Sequence, residues 1–344
     1  MMTDVEIKVE EVAHCLYCQK PGTQLYAGLR DRLFGAPGVW GFLQCPECQL
    51  VWLNPRPVPE DLGKVYVTYY THNTKDNLSG LAALRNRTRL ALYSAVSGYS
   101  VLAKGWGWRQ FGRALSLVPT LKERARLGLM CLDSGKKGRL LDVGCGSGYF
   151  LGIMRDAGWD VLGVDKDAAA ADVARELYGV RVAVGTLQEA KLPAQSFDAV
   201  TLSHVIEHVV DPIGLLTECA RVLKPGGKLV VLTPNVKSLA HEIFRDSWRG
   251  LEPPRHLHLF SMDTLQAAAE RAKLQVESVS TSARSAGWVG MASCSIKDKG
   301  TFSDSDASWR LRLGGVFFHL REEVSRCASK GIGEELVLVG SRKV

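Results

Sequence analysis

The sequence lacks an apolar run long enough to cross a membrane. Its best stretch, 90–103, has 14 uncharged residues broken by three serines and a glycine, where a span takes roughly 20 mostly apolar residues. The opening MMTDVEIKVEEV is acidic and has no basic segment leading into an apolar one. A cytoplasmic chain without a secretory leader is therefore expected. There is no internal repeat and no low-complexity tract. The nine cysteines are odd in number, with four in CxxC pairs and five scattered, which does not read as a secreted disulfide framework. Charge is modest, at 23% of residues and a net of +7. These values describe an ordinary globular chain, and 344 residues suffice for one large domain plus a small one or two.

The positive charge is concentrated in one place. Between residues 78 and 130 nine Lys/Arg stand against one acid, Glu123, a local net of +8 that leaves the rest near neutral. The same zone holds Tyr93, Tyr99, Trp106, Trp108 and Phe111. A solvated basic face fits this pattern. So does contact with an anionic surface: a substrate phosphate, a nucleotide diphosphate or an acidic lipid headgroup. Nucleic acid is the weaker partner, because no DNA-binding motif accompanies the charge.

Cys15-Leu16-Tyr17-Cys18 and Cys45-Pro46-Glu47-Cys48 form two knuckles with 26 residues between them. Each offers two thiolates to one tetrahedral ion. Together they make a four-cysteine site suited to zinc, or to iron in a rubredoxin-like arrangement. A redox CxxC would not need two knuckles in one short zone. A closed four-thiolate site has no open coordination position, so Cys15, Cys18, Cys45 and Cys48 are expected to stabilise the fold rather than catalyse. The segment Asn54-Pro55-Arg56-Pro57-Val58-Pro59 closes this zone as a stiff connector.

Residues 61–132 read as mainly helical. Residues 133–281 alternate apolar β-type runs with helical patterns, the signature of a parallel βαβ sheet. A strand at 139–143 runs into Gly144-Cys145-Gly146-Ser147-Gly148, with a helix from near Tyr149. Such glycines permit a tight turn and close approach of backbone N–H groups to a ligand. A second strand, 161–164, ends at Asp165, where an acid suits ribose hydroxyls or a helix N-cap. A third, 180–184, leads to Thr186 and Leu187, and a fourth, 197–202, to Ser203-His204-Val205-Ile206-Glu207-His208. After a helix and a turn at 223–227, a fifth strand, 228–232, ends in Thr233-Pro234-Asn235. Residues 282–344 open Ser/Gly-rich, pass through an amphipathic basic segment and end in an apolar strand, 336–339.

Taken together, LLDVGCGSG, the acid in VLGVDKD, SFDAV, SHVIEHVVDP and RVLKPGGKLVVLTPN closely resemble the class I S-adenosylmethionine-dependent methyltransferases over residues 139–281. GEELVLVGSRK resembles that family's last, antiparallel strand. The resemblance implies an α/β fold with a Rossmann-like seven-stranded methyltransferase sheet in the catalytic domain, 133–344. An N-terminal zinc ribbon, 1–60, and a basic helical insertion, 61–132, would precede it. It further implies that Asp142, Gly144, Gly146 and Gly148 hold the methionine portion of S-adenosylmethionine and that Asp165 binds the ribose. Thr186 and Leu187 would flank the adenine, with Ser203 and His204 completing the cofactor site. Family members usually place an acid near Thr186 for the adenine amino group; here a threonine hydroxyl or the Leu187 backbone would serve. The order CxxC…CxxC, LVWLNPRP, VYVTYY, core resembles a bacterial group of methyltransferases that act on sugars, polysaccharide precursors or natural products. SHVIEHV with TPN is also similar to the ubiquinone-pathway O-methyltransferases.

HVIEH spells the HxxEH of one zinc-peptidase class. That motif lies on a long helix, whereas this one follows a strand beside a cofactor cleft, so its histidines have another use. Methyl transfer from a sulfonium needs in-line positioning and, for a hydroxyl acceptor, a base. Histidine suits that role near neutral pH. His208 is expected as base, with Glu207 as its orienter or as a divalent-ion ligand; the further acids such an ion would want are not visible. His256, in the loop Pro253-Pro254-Arg255-His256-Leu257-His258-Leu259-Phe260-Ser261, is a second candidate. Arg255 is expected to face the acceptor and His258 to lie on the same side as His256. Trp248 and Trp288 are candidates to stack on a sugar or ring. For each of these residues, packing or capping is the alternative.

The reading is a methyltransferase acting on a hydroxyl, with carbon and nitrogen open, of a small or carrier-linked acceptor, a sugar or a secondary metabolite, with an anionic acceptor as one option. It would be cytoplasmic or peripheral at a membrane's inner face. A nucleic-acid-modifying methyltransferase using the zinc ribbon and basic zone is the main alternative. A nicotinamide-dependent oxidoreductase would share the glycine loop and Asp165, but Asp142, SHVIEHV and LKPGG speak against it.

Overall fold

A computed structural model of the chain describes residues 6–66, 80–303, 305 and 307–343. The VYVTYY stretch beyond Tyr66, and the part of the basic zone before Gly80, lie outside the described residues.

The N-terminal part is a small antiparallel assembly. Strand β1 (Val9–Glu10) pairs with β5 (Arg56–Pro57), while β2 (Thr23–Leu29), β3 (Trp40–Gln44) and β4 (Val51–Leu53) form consecutive antiparallel ribbons. Both knuckles turn the same way. Gln19 and Gln49 follow the second cysteine of each with positive φ, 55° and 64°. The backbone N–H of Gln19 donates to the Cys15 carbonyl at 3.0 Å, and that of Gln49 to the Cys45 carbonyl at 3.1 Å. Two like turns on neighbouring ribbons bring the four thiols together.

Helices α1 (Gly80–Ser97), α2 (Trp106–Leu115) and α3 (Pro119–Gly128) come next. The doubly wound unit then runs β6 (Arg139–Val143), α4 (Tyr149–Asp156), β7 (Asp160–Asp165), α5 (Ala168–Tyr178), β8 (Arg181–Val184), β9 (Phe197–Ser203), α6 (Pro212–Val222) and β10 (Leu223–Pro234). Beyond it lie α7 (Leu239–Phe244), β11 (His258–Leu259), α8 (Met262–Arg271), β12 (Leu274–Ser282), α9 (Ala286–Lys299), α10 (Trp309–Ala328) and β13 (Glu335–Arg342).

The main sheet has seven strands in the order β12-β13-β10-β9-β6-β7-β8. Strands β8, β7, β6, β9 and β10 are mutually parallel, and β13 is antiparallel to both its neighbours. The turn expected at 223–227 is absorbed into β10 as a register shift between Leu223 and Lys228.

Alternation along β10 sorts the core into two faces. Leu229 and Val231 pack with Leu216 and Cys219 of α6, Leu265 of α8 and, from the N-terminal part, Trp52 and Cys45. Val230 and Leu232 pack with Leu151 of α4 and with Leu92, Tyr99 and Leu129 of the α1–α3 region. The basic helical zone therefore buries one side in the core and keeps its charge outside. The Ser/Gly-rich stretch after residue 282 is the helix α9. Its small residues allow close contact: a Cβ on Gly315 of α10 would sit 2.6 Å from the Gly287 carbonyl. No described helix is long and apolar enough to cross a membrane.

Candidate active site

In an open parallel sheet the crevice lies at the carboxyl ends of the strands where the chain order reverses, here between β6 and β9. The glycine loop follows β6. Gly144, Gly146 and Gly148 all have positive φ. A Cβ on Gly144 would lie 2.4 Å from Val205, whereas one on Gly146 would meet nothing within 4 Å. Gly146 thus borders open space, where a ligand has room. Its N–H donates to Asp165 Oδ2 at 2.7 Å, and the Asp167 N–H to Asp165 Oδ1 at 2.9 Å. Asp165 ends β7 with its carboxylate oriented by two backbone donors. Asp167, and not Asp165, caps α5.

Asp142 is buried and accepts from Thr201 Oγ1 at 2.6 Å. Burial pushes its carboxyl up to about 7; the Thr201 bond opposes this and the nearby Asp165 adds to it. Thr186 donates its N–H to Glu189 at 2.7 Å, so an acid does stand by Thr186, three residues on and tied to its backbone. The Leu187 side chain is buried in the core beside Val164, which leaves its backbone for a ligand. Ser203 is half-buried at the end of β9.

His204 follows in left-handed backbone, φ 55°. Its ring lies 3.3 Å from Glu207 and 3.0 Å from Glu335. Burial disfavours its charge, but the two carboxylates outweigh that and raise its pKa to about 10. Burial likewise opposes ionisation of Glu207, yet His204, followed by His208 and His256, brings it down to about 2. Thr233 Oγ1 donates to Glu207 at 2.9 Å.

His208 Nδ1 is 3.0 Å from the Arg255 carbonyl and 3.1 Å from the Tyr66 hydroxyl. A carbonyl only accepts, so Nδ1 carries a proton, and in the neutral form of the ring the lone pair is on Nε2. His256 is buried with Nδ1 2.7 Å from the Gly250 carbonyl, and burial lowers its pKa to about 4. The two rings meet edge-on at 4.8 Å. One donor atom each from Glu207, His208 and His256 lies within 4.8 Å of the others, a set that suits a borderline divalent ion. His208 and His256 line a cavity of about 240 Å³ with Arg249, Trp288, Glu334 and Glu335. Burial, then Glu322, raises the Glu334 carboxyl well above its ordinary value, so this group at the edge of the cavity resists ionisation.

Several expectations are corrected. The donor set at Glu207 and His208 gains His256 and no second acid, since Glu252 pairs with Arg249 and Arg255, and Glu335 with His204 and Arg284. Arg255 does not face an acceptor. It is fully buried and pairs with Asp31 at 2.9 Å and Glu252 at 3.0 Å. His258 does not share a side with His256: β11 begins only at His258, so strand alternation does not reach back to His256. His258 donates toward the Val209 carbonyl at 3.2 Å and borders another cavity, with His14 and Arg56. Trp248 is buried and donates to Glu334 at 2.8 Å. Trp288 is 43% exposed and lies under Arg249, 4.9 Å from its ring. Glu252, Arg249 and Tyr66 gave no sequence signal of their own, since each reaches the site through tertiary packing.

The sulfurs of Cys15, Cys18, Cys45 and Cys48 all lie within 4.8 Å of one another. With Zn–S of about 2.3 Å, tetrahedral sulfurs sit about 3.8 Å apart. Cys15 and Cys48 are at 3.5 Å, so a zinc ion fits this site.

Residues 112–279 match the family model described as a methyltransferase domain. With the glycine loop, Asp165 and the seven-stranded order, this makes that part of the chain a methyltransferase domain of the S-adenosylmethionine-dependent class. A ubiquinone biosynthesis O-methyltransferase of Hahella chejuensis is 42% identical over 104 residues, 28% of this chain and 43% of that protein. A probable S-adenosylmethionine-dependent methyltransferase of Mycolicibacterium smegmatis is 41% identical over 97 residues, 28% of this chain and 38% of that protein. A solved methyltransferase from Archaeoglobus fulgidus is 19% identical, covers 68% of this chain and 99% of its own, and has a TM-score of 0.43. The chain spans about two fifths of the length of the two curated relatives.

Proposed function

We propose that the chain transfers a methyl group from S-adenosylmethionine to a hydroxyl of a small or carrier-linked polar molecule: a sugar, a polysaccharide precursor or a secondary metabolite. The observation that carries this is His208. Its Nδ1–H is tied to the Arg255 carbonyl, and it borders the cavity at the carboxyl ends of β9 and β10.

The sulfonium supplies a methyl that is already activated. Asp142 and the glycine loop hold the methionine portion, and Asp165 takes the ribose hydroxyls. Thr186, Leu187, Ser203 and His204 border the remainder. His208 Nε2 would take the acceptor's hydroxyl proton, leaving the acceptor oxygen to receive the methyl group that S-adenosylmethionine would supply. His256 is the poorer base: its low pKa keeps it neutral and gives little driving force for taking a proton. Glu207 and Glu252 are anions that stabilise a positive charge forming on His208. Residues 1–60 act as a zinc-held scaffold, 61–132 as a covering layer and 133–344 as the catalytic unit. A lipid-carried acceptor would bring the protein to a membrane surface.

A second reading, an acceptor from ubiquinone biosynthesis as in the relatives' names, is favoured by the identity to those enzymes across the core. A panel of sugar, metabolite and ubiquinone-precursor acceptors separates the two.

Calorimetric titration with S-adenosylmethionine, its demethylated product and NAD should show binding of the first two only. His208→Ala should then lower turnover about 10²–10⁴-fold with cofactor affinity unchanged. Binding of NAD alone, or full turnover in the variant, would count against the reading.

A further inference from the structure

Helix α10 is apolar on two sides. Its inner side packs on α9 through Gly315 against Gly287, and Glu322 accepts the Glu334 N–H at 2.8 Å. On its outer side Trp309, Leu313, Val316, Phe317, Leu320 and Val324 are between 46% and 72% exposed. At 100° per residue these six fall within an arc of about 100°, forming a stripe about 22 Å long. Apolar residues scattered over a surface are ordinary, but a continuous stripe marks a contact.

The charges beside the stripe indicate what covers it. Arg310 and Arg321 flank one edge and Arg312 the other, and all three are exposed. The acids of α10 are not available to Arg310 and Arg321, because Glu322 is buried and Glu323 pairs with Arg326 at 3.2 Å. Arg326 also joins α10 to α3 through Glu123 at 3.1 Å. This places the exposed Lys122, Arg124 and Arg126 alongside. A second copy pairing antiparallel would set like edges together, Arg310 against Arg321, and a parallel one would set opposite edges together, Arg310 against Arg312. Both arrangements oppose like charges. A surface carrying negative charge over an apolar interior satisfies the stripe and its flanks together.

We propose that the outer face of α10 docks on an anionic lipid bilayer, with the helix lying in the interfacial plane. The stripe enters the headgroup–acyl boundary, and Arg310 and Arg321 meet lipid phosphates. Helix α9, whose Trp288 lines the acceptor cavity, lies directly beneath α10, so docking holds that cavity one helix layer from the lipid.

The test is co-sedimentation of the full chain with phosphatidylglycerol-rich vesicles and with phosphatidylcholine vesicles. Binding is expected to the first and not the second. Leu313→Glu with Phe317→Glu should weaken it about tenfold or more, and Arg310→Gln or Arg321→Gln about fivefold each. Cofactor titration of each variant, expected to match the unaltered chain, confirms an intact fold. Absence of binding to anionic vesicles, or equal binding by the double Glu variant, overturns the proposal. So does a dimer in light scattering that the double Glu variant converts to monomer, since the occupant is then a second copy. A chain that binds vesicles but no S-adenosylmethionine would instead defeat the methyltransferase reading and leave the docking surface standing.

Discussion

Arg255→Met removes a buried charge while nearly keeping the volume of its side chain. The Arg255 and Asp31 side chains are 0% and 1% exposed. The guanidinium donates to both Asp31 oxygens at 2.9 Å, to Glu252 at 3.0 Å and to the Val65 carbonyl at 3.2 Å, and lies 4.4 Å from the Phe34 ring centre. Removing one partner of such a pair strands the other, at a cost of about 3–5 kcal/mol. The lower end is expected here, because Asp31 keeps backbone bonds from Leu33, Phe34 and Ala36 and Glu252 keeps Arg249. Unfolding entropy near 2.1 cal/mol/K per residue gives about 0.7 kcal/mol/K for this chain, so the thermal midpoint should fall by about 4–7 °C. Differential scanning calorimetry on Arg255→Met, Asp31→Asn and the double variant checks this. If the pair is the cause, the two losses are less than additive, with a coupling of about 1–3 kcal/mol. A midpoint within about 1 °C of the unaltered protein, or strictly additive losses, would refute the assignment of Arg255 as an ionic anchor.

The burial of Asp142 predicts a pH effect with two signs. Its folded pKa, about 7, lies above its ordinary 3.8, so the free protein binds this proton more tightly than the unfolded chain and loses stability as pH rises from about 4 to 7. The ligand's ammonium group favours the carboxylate instead, so S-adenosylmethionine should bind about tenfold more tightly at pH 8 than at pH 6; a flat affinity across that window would contradict the role given to Asp142. Cys45→Ser, or prolonged chelation, should remove about one zinc ion per chain by metal analysis and lower the thermal midpoint. Full metal content in Cys45→Ser would separate the knuckles from a common site.

The doubly wound core was readable because its signals are local: strands, glycine turns and a terminal acid recur in one order along the chain. Helix α9 was not, because a run of Ser, Gly and Ala reads as loop until α10 is present to require small residues at Gly287 and Gly290. The placement of Glu207 and His208 at the end of β9 followed from strand direction alone. Their surroundings did not. Glu335 comes from the last strand, 128 residues after Glu207 in the sequence, and Glu252 from a loop with no periodic pattern. Arg255 misled for a related reason: an arginine among prolines and histidines looks substrate-directed, and its partner Asp31 is 224 residues away.

The N-terminal ribbon and the active-site loop share a single sheet, which changes what the cysteines can do. Strand β11 is the fourth strand of the ribbon sheet, paired antiparallel with β4 through His258 with Trp52 and Leu259 with Val51. The Leu53 N–H donates to the Leu257 carbonyl at 3.0 Å, and the Leu257 N–H donates to the Glu207 carbonyl at 2.7 Å. Tyr17, between the first two cysteines, donates its hydroxyl to the Thr264 carbonyl at 3.1 Å and lies under Arg271, 4.5 Å away. The knuckles therefore fix β3 and β4, β4 fixes Leu257, and Leu257 fixes the backbone on which Glu207, His208 and His256 converge. An ion enclosed by four thiolates, with no open position, performs no chemistry. Through this chain of hydrogen bonds, an ion held there would brace the backbone that carries His208 and the Arg255 carbonyl bonded to it. The glycine loop follows β6 and Asp165 ends β7, away from the β4–β11 pairing, so the proposed cofactor half of the site does not depend on the knuckles in the same way.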